Sequence, residues 1–286
     1  MKKIVVISGK GGTGKTMVTG ALSDLMGKKV IVDCDVDAAN LHLLLKPRLK
    51  ERYAFVGGKK ASIDKSLCTQ CGLCHSLCRF DAVKLDGNAF SIDSLNCEGC
   101  GLCFHACPLH AITMKDHVDG EWFISETVYG SFVHAKLGIG EGNSGKLVSL
   151  IRQKAEEIAV QEKADWLLID GSPGIGCPVI AATVNTDLAI VVTEPTLSGI
   201  HDFQRVFKLL EQLKISVKVI INKYDLNTEN AQKIEKFCSS KQLGRVLKLP
   251  YAKEVPLAIM HGIPITQYAS DSPVVRALHN FVVNEI

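Results

Sequence analysis

Residues 9–16 read Gly9-Lys10-Gly11-Gly12-Thr13-Gly14-Lys15-Thr16, a GxxxxGK[ST] loop between the β-branched run 3–8 and the helix-length segment 16–26. A strand that passes through such a loop into a helix turns backbone N–H groups inward around phosphate oxygens, and the helix N-terminus adds its dipole. Gly11, Gly12, Thr13 and Gly14 form the cradle. Lys15 then reaches the β- and γ-phosphates, and the Thr16 hydroxyl binds Mg²⁺.

Outward from this loop, short apolar runs alternate with helix-length segments. Residues 30–33, 166–170, 188–192, 217–222 and 245–249 read as strands, and 145–161, 199–213 and 228–239 as helices. Continuous apolar strands joined by helical crossovers predict an α/β fold with a mostly parallel sheet covered on both faces. The alternation fails between 55 and 122, where paired cysteines, glycines and very short apolar pieces replace it. The predicted organisation is a discontinuous nucleotide-binding domain, 1–54 and 123–286, interrupted by a small inserted α+β domain at 55–122. The flanking pieces 53–60 and 117–136 are expected to be its lead-in and return strands.

Composition narrows the function classes. Hydrophobic residues make up 47% of 286 and charged residues 22%, enough for a sizeable core. Lys+Arg 33 against Asp+Glu 30 gives +3, which offers no ground for a nucleic-acid partner. The start of the chain carries no secretory pattern, so a cytoplasmic location is expected. In the last helix, 272–286, Val274, Leu278, Phe281, Val282 and Ile286 share one side and Arg276 is the only Lys or Arg. Core docking is expected of it rather than membrane binding.

Eight of the eleven cysteines fall between Cys68 and Cys107. In a reducing compartment they read as ligands rather than disulfides. Cys68-x-x-Cys71-x-x-Cys74-x-x-x-Cys78 and Cys97-x-x-Cys100-x-x-Cys103-x-x-x-Cys107-Pro108 are two copies of the bacterial ferredoxin run. Each copy lends its fourth cysteine to the other centre. Cys68, Cys71, Cys74 and Cys107 are therefore expected around one [4Fe–4S] cluster, and Cys97, Cys100, Cys103 and Cys78 around a second. Zinc is the competing reading, since CxxC pairs also hold Zn²⁺. Phe80-Asp81-Ala82-Val83 and Leu109-His110-Ala111-Ile112 repeat at the same 29-residue offset, and Arg79 stands where the second run has proline. Residues 64–116 hold four basic and six acidic side chains, which suits docking to a basic redox partner.

With the early lysine Lys10, the glycine loop resembles the deviant Walker A motif of the MinD/ParA/nitrogenase-iron-protein class of P-loop ATPases. The resemblance implies that Lys10 reaches across a nucleotide-dependent homodimer to the partner's nucleotide. Asp33-Cys34-Asp35-Val36-Asp37 resembles that class's switch I, with Asp35 orienting or activating the attacking water. The stretch from Leu167 through Asp170 to Gly174 resembles its Walker B and switch II, with Asp170 on the Mg²⁺ shell. Asn222 matches the adenine-contacting asparagine, and Pro250 and Tyr251 match the segment on the other side of the base. Asn222-Lys223-Tyr224-Asp225 also satisfies NKxD, the guanine-reading motif of GTPases. The resemblance favours ATP and ADP.

As a whole the chain resembles MinD-superfamily ATPases that carry an inserted ferredoxin domain. Of the remaining cysteines, Cys34 and Cys238 read as small buried hydrophobes. Cys177 matches the interface-cluster cysteine of nitrogenase iron protein, but Asn143 stands where the companion cysteine belongs. A redox role and a packed thiol are both open for Cys177. The nine histidines show no ligand spacing. Three functions follow from the whole: an ATP-gated electron-transfer protein, an iron–sulfur or metallocofactor assembly ATPase, or a positioning scaffold whose ferredoxin module is structural or sensory.

Overall fold

The computed structural model describes residues 1–138, 140–142 and 144–286. The chain divides into two compact units, one of Met1–Tyr53, Trp122–Lys136 and Ser144–Ile286, the other of Ala54–Glu121 and Leu137–Asn143.

In chain order the first unit begins with β1 (Lys2–Ser8), α1 (Lys15–Leu25), β2 (Lys29–Asp33) and α2 (Leu41–Leu45), after which β3 (Arg48–Ile63) runs into the second unit. The second unit adds α3 (Leu73–Leu77), β4 (Val83–Asp86), β5 (Ala89–Ile92) and α4 (Leu102–Ala106), and β6 (Ile112–Thr127) leads out of it. There follow β7 (Gly130–Leu137), α5 (Ser144–Gln161), β8 (Trp166–Pro173), α6 (Cys177–Thr183), β9 (Leu188–Thr193), α7 (Leu197–Gln212) and β10 (Ser216–Asn222). The chain closes with α8 (Thr228–Ser240), β11 (Leu247–Leu249), α9 (Glu254–His261), α10 (Ile265–Tyr268) and α11 (Pro273–Glu285).

The sheet order is β11-β10-β9-β1-β8-β2-β7-β6-β3. Every pairing from β11 through β7 is parallel. Crossover helices cover such a sheet on both faces, so its central strands must be apolar throughout. Ile4, Val5, Val6 and Ile7 of β1 are all buried accordingly. On one face Ile4, Val6, Leu168, Ile190 and Ile220 pack under Val18 and Leu22 of α1 and Val274 and Leu278 of α11. The final helix is thus a core element, with Val282 and Ile286 completing its packed side.

Two expectations about elements change. The return segment 117–136 is not one strand but β6 and β7, joined at Val128 and Tyr129, a two-residue connection that only an antiparallel hairpin accommodates. The last strand is three residues, not the five of 245–249, because pairing with β10 starts only at Leu247.

The second unit repeats itself in its backbone as well as its sequence. Gly72 and Gly101 share φ 77°, ψ −2°, Cys78 and Cys107 share ψ 113°, and Asp81 and His110 have φ 54° and 52°. Asp64 N donates to Ala111 O and Asp93 N to Ala82 O, both at 2.7 Å. Each copy therefore begins where the other ends. β4 and β5 form an antiparallel hairpin between the copies.

Candidate functional site

Parallel register builds the acidic side of the first site. Asp33 ends β2 directly beside Asp170 on β8, while Val6 of β1 pairs with Asp170 on its other flank. The loop that leaves β1 enters α1 at Gly14, whose φ is 96°. A Cβ there would lie 2.3 Å from Asn222 Nδ2, so both the dihedral and the close approach require glycine. Asn222 uses that amide to donate to Thr13 O at 2.8 Å and so ties the end of β10 to the loop.

Lys15 Nζ is buried 3.0 Å from Asp170 Oδ1 and 3.4 Å from Asp35 Oδ2. Thr16 Oγ1 donates to Asp170 Oδ2 at 3.3 Å, and Thr19 Oγ1 holds the other oxygen at 2.8 Å. Burial works against the Lys15 charge, but Asp170, Asp35 and Asp33 outweigh it and hold the pKa above the ordinary lysine value. Burial, then Asp170, raises the Asp35 carboxyl, partly opposed by Lys15. Asp33, wholly buried and beside Asp170, is pushed up to about 8.

A nucleotide fits this cradle on the evidence of its donors. Thr13 Oγ1 and Lys15 Nζ are buried without an aligned hydrogen-bond acceptor, and a phosphate oxygen is the acceptor both need. Thr16 and Asp170 give the adjacent hard oxygens that Mg²⁺ prefers. Gly11 and Gly12 lie on the exposed side of the loop.

The remaining expected residues fall around the same loop. Lys10 Nζ lies 2.6 Å from Glu194 Oε1, 3.0 Å from Ser198 Oγ and 3.3 Å from Thr196 Oγ1. Pro250 and Tyr251 follow β11; Tyr251 N donates to Asp225 Oδ1 at 2.8 Å. That contact engages the aspartate of the NKxD pattern.

Two residues escaped the sequence reading. Glu194 carries no motif and lies far from Lys10 in sequence. Asp33 has no evident role in its motif as sequence, yet it accepts from Asp35 N at 3.0 Å and Leu41 N at 3.2 Å and so shapes the segment after β2. Cys34 is fully buried, which pushes its thiol well up. Cys238 is buried too, at about 12. Cys177, at the start of α6, is exposed. Asn143 lies outside the described residues.

In the second unit the eight clustered cysteines are free thiols lining two cavities. Cys68, Cys71, Cys74 and Cys107 line one of about 390 Å³, counting space open to solvent. Cys78, Cys97, Cys100 and Cys103 line the other, about 830 Å³ on the same measure. Ala82 N and Ala111 N donate to Cys78 Sγ and Cys107 Sγ at 3.4 and 3.3 Å. Each cavity thus offers four thiols, a donor set that suits zinc and iron–sulfur centres alike.

One cluster had no sequence signal at all. His117 Nε2 is 3.0 Å from Glu141 Oε1, with Asp119 within ligand distance of both. Lys60 already sits on Glu141 at 2.7 Å, so an ammonium neutralises the group.

A phosphate cradle between β1 and α1, with its lysine set against Asp170 of β8 and Asp35 just past the end of β2, defines the class of P-loop ATPases. The family model "CobQ/CobB/MinD/ParA nucleotide binding domain" matches residues 4–265, and the chain belongs to this family. It is 36% identical over 231 residues to an uncharacterized protein of Methanocaldococcus jannaschii, covering 80% of each chain. An uncharacterized ATP-binding protein of the same organism is 24% identical over 96% of this chain and 94% of its own. Among solved structures, the septum site-determining protein MinD of Pyrococcus horikoshii complexed with Mg-ADP aligns with a TM-score of 0.58 and 20% identity. That alignment covers 99% of this chain and 96% of the other.

Proposed function

We propose that this protein is an ATP-hydrolysing iron–sulfur protein in which nucleotide-controlled pairing of two copies governs electron transfer through two [4Fe–4S] clusters. The inserted unit, 55–122, is read as a ferredoxin-like domain within a nucleotide-binding domain of 1–54 and 123–286. The observation that carries the reading is the sorting of eight thiols into two cavities of four, each set drawn crosswise from both copies of the repeat. Clusters bound there would supply one-electron storage.

On the nucleotide side, Thr16 and Asp170 would hold Mg²⁺, and Lys15 would turn from its carboxylates to the β- and γ-phosphates. Asp35 is then free to orient water. Lys10 from a second copy would bring a further positive charge to the charge that develops on the transferred phosphoryl group. Asn222 lines the base site. ATP is favoured over GTP because Asn222, Pro250 and Tyr251 match the adenine-side segments of the family, and a relative is described as ATP-binding.

A second reading, assembly or delivery of iron–sulfur or other metallocofactors, draws on the exposed Cys177 in the segment after β8. A thiol there offers a labile attachment point outside the two four-thiol sets. Anaerobic iron and sulfide analysis with electron paramagnetic resonance separates the readings. About eight iron atoms per chain, retained when an apo-acceptor is added, supports electron transfer. Loss of iron to the acceptor supports assembly, and zinc in both cavities contradicts both.

A further inference from the structure

The peptide unit between Cys34 and Asp35 is planar, so its carbonyl and its amide turn as one body, and the Asp35 Cα is its last atom. Both ends of that plane are held. The Asp35 amide donates to Asp33 Oδ1 at 3.0 Å, and the Cys34 carbonyl accepts from Ser172 Oγ at 2.7 Å. One plane earlier, Cys34 N donates to Asp170 O at 2.7 Å and carries the β2–β8 pairing a residue past Asp33. Cys34 is fully buried and Ser172 is 4% exposed, so bulk water does not compete for the tie. Beyond the plane, the Asp35 carboxylate lies 3.4 Å from Lys15 Nζ, beside the phosphate cradle. A hydroxyl on the strand that carries Asp170 thus holds the backbone that carries Asp35.

We propose that Ser172 is a positioning residue for ATP hydrolysis: its hydroxyl fixes the plane that aims Asp35, and it acts on the attacking water only through that carboxylate. The proposal rests on the reading above of Asp35 as the residue that orients water. Aim is what such a residue contributes, because phosphoryl transfer depends mostly on positioning and charge stabilisation. Without the hydroxyl, the Cys34 carbonyl becomes a buried acceptor that has lost a donor, and a turn of the plane to relieve it swings Asp35 away from its place. Asp33 still holds the amide end, so the loss is partial. Nucleotide binding is a separate matter, since Lys15, Thr16 and the loop amides lie outside this plane.

The test is a phosphate-release assay on the full chain with Ser172→Ala and Asp35→Asn, singly and together, and ADP affinity by calorimetric titration beside it. Ser172→Ala should lower kcat about tenfold, with KM and ADP affinity unchanged. In the Asp35→Asn background the same substitution should change kcat by less than about twofold, because the group it acts through is gone. Ser172→Cys, close in size but a weaker donor, should fall between serine and alanine, and it carries the same cycle if the alanine variant does not fold. Losses that multiply in the double variant overturn the proposal. So does a Ser172→Ala chain with normal kcat, or one whose ADP affinity falls as far as its kcat. An Asp35→Asn chain that hydrolyses ATP at the normal rate overturns the reading of Asp35 itself.

Discussion

Lys10 Nζ rests 2.6 Å from Glu194 Oε1, with the hydroxyls of Ser198 and Thr196 also within reach. The lysine expected to serve a neighbouring copy is therefore held by its own chain, through the turn between β9 and α7. Releasing it should favour pairing. Glu194→Gln is expected to raise ATP-dependent self-association and basal phosphate release several-fold. Lys10→Ala should abolish both while nucleotide still binds. Sedimentation with and without ATP, beside a phosphate-release assay, reads the two effects.

Lys15 is the buried cation set against Asp170 and Asp35, so its removal has two consequences. Lys15→Ala should lose nucleotide binding and also unfold more easily, by about 3–5 kcal/mol, the usual cost of leaving buried charge unpaired. Asp35→Asn should keep binding, because Asp170 and Thr16 remain, yet slow hydrolysis about 100-fold. Calorimetric titration with ADP and urea unfolding separate these outcomes.

Gly14 and Asn222 act as one fitting. Gly14→Ala places a Cβ against the Asn222 amide at a backbone angle that alanine disfavours. The amide then loses Thr13 O, and ADP affinity should fall at least tenfold. Asn222→Ala removes the tie without the clash, so it should weaken binding less and narrow the preference for ATP over GTP. Competition with each nucleotide measures both.

His134 supplies a pH signature of the fold. Burial first, then the neighbouring His42, lowers its pKa from 6.5 to about 4, and its ring stacks on Phe132 and Phe123. A lowered pKa means the stability it contributes is present above pH 6.5 and is lost as pH falls toward 4. The slope approaches about 1.4 kcal/mol per pH unit. Asp33, raised to about 8, acts in the opposite sense, gaining as pH falls. Comparing His134→Phe with the unmodified chain isolates the histidine: between pH 7 and 5 the variant should lose less stability in urea unfolding.

Much of this was legible in the chain because its signals are local. The phosphate loop is contiguous, the central strands are unbroken apolar runs, and the cysteine spacing repeats at one offset. Contacts between distant residues left no such trace, as Glu194 with Lys10 and His117 with Glu141 illustrate. The long strand β3 was hard to read for another reason. Its first seven residues, Arg48 to Ala54, are all exposed, so no period-two alternation marks them.

The central claim is that the bound nucleotide governs the clusters. Anaerobic potentiometric titration of the iron-loaded protein, with Mg-ADP in one sample and a non-hydrolysable Mg-ATP analogue in the other, tests it most directly. The account predicts that at least one couple shifts between the two nucleotides. Two intact clusters with the same potentials in both samples would contradict it.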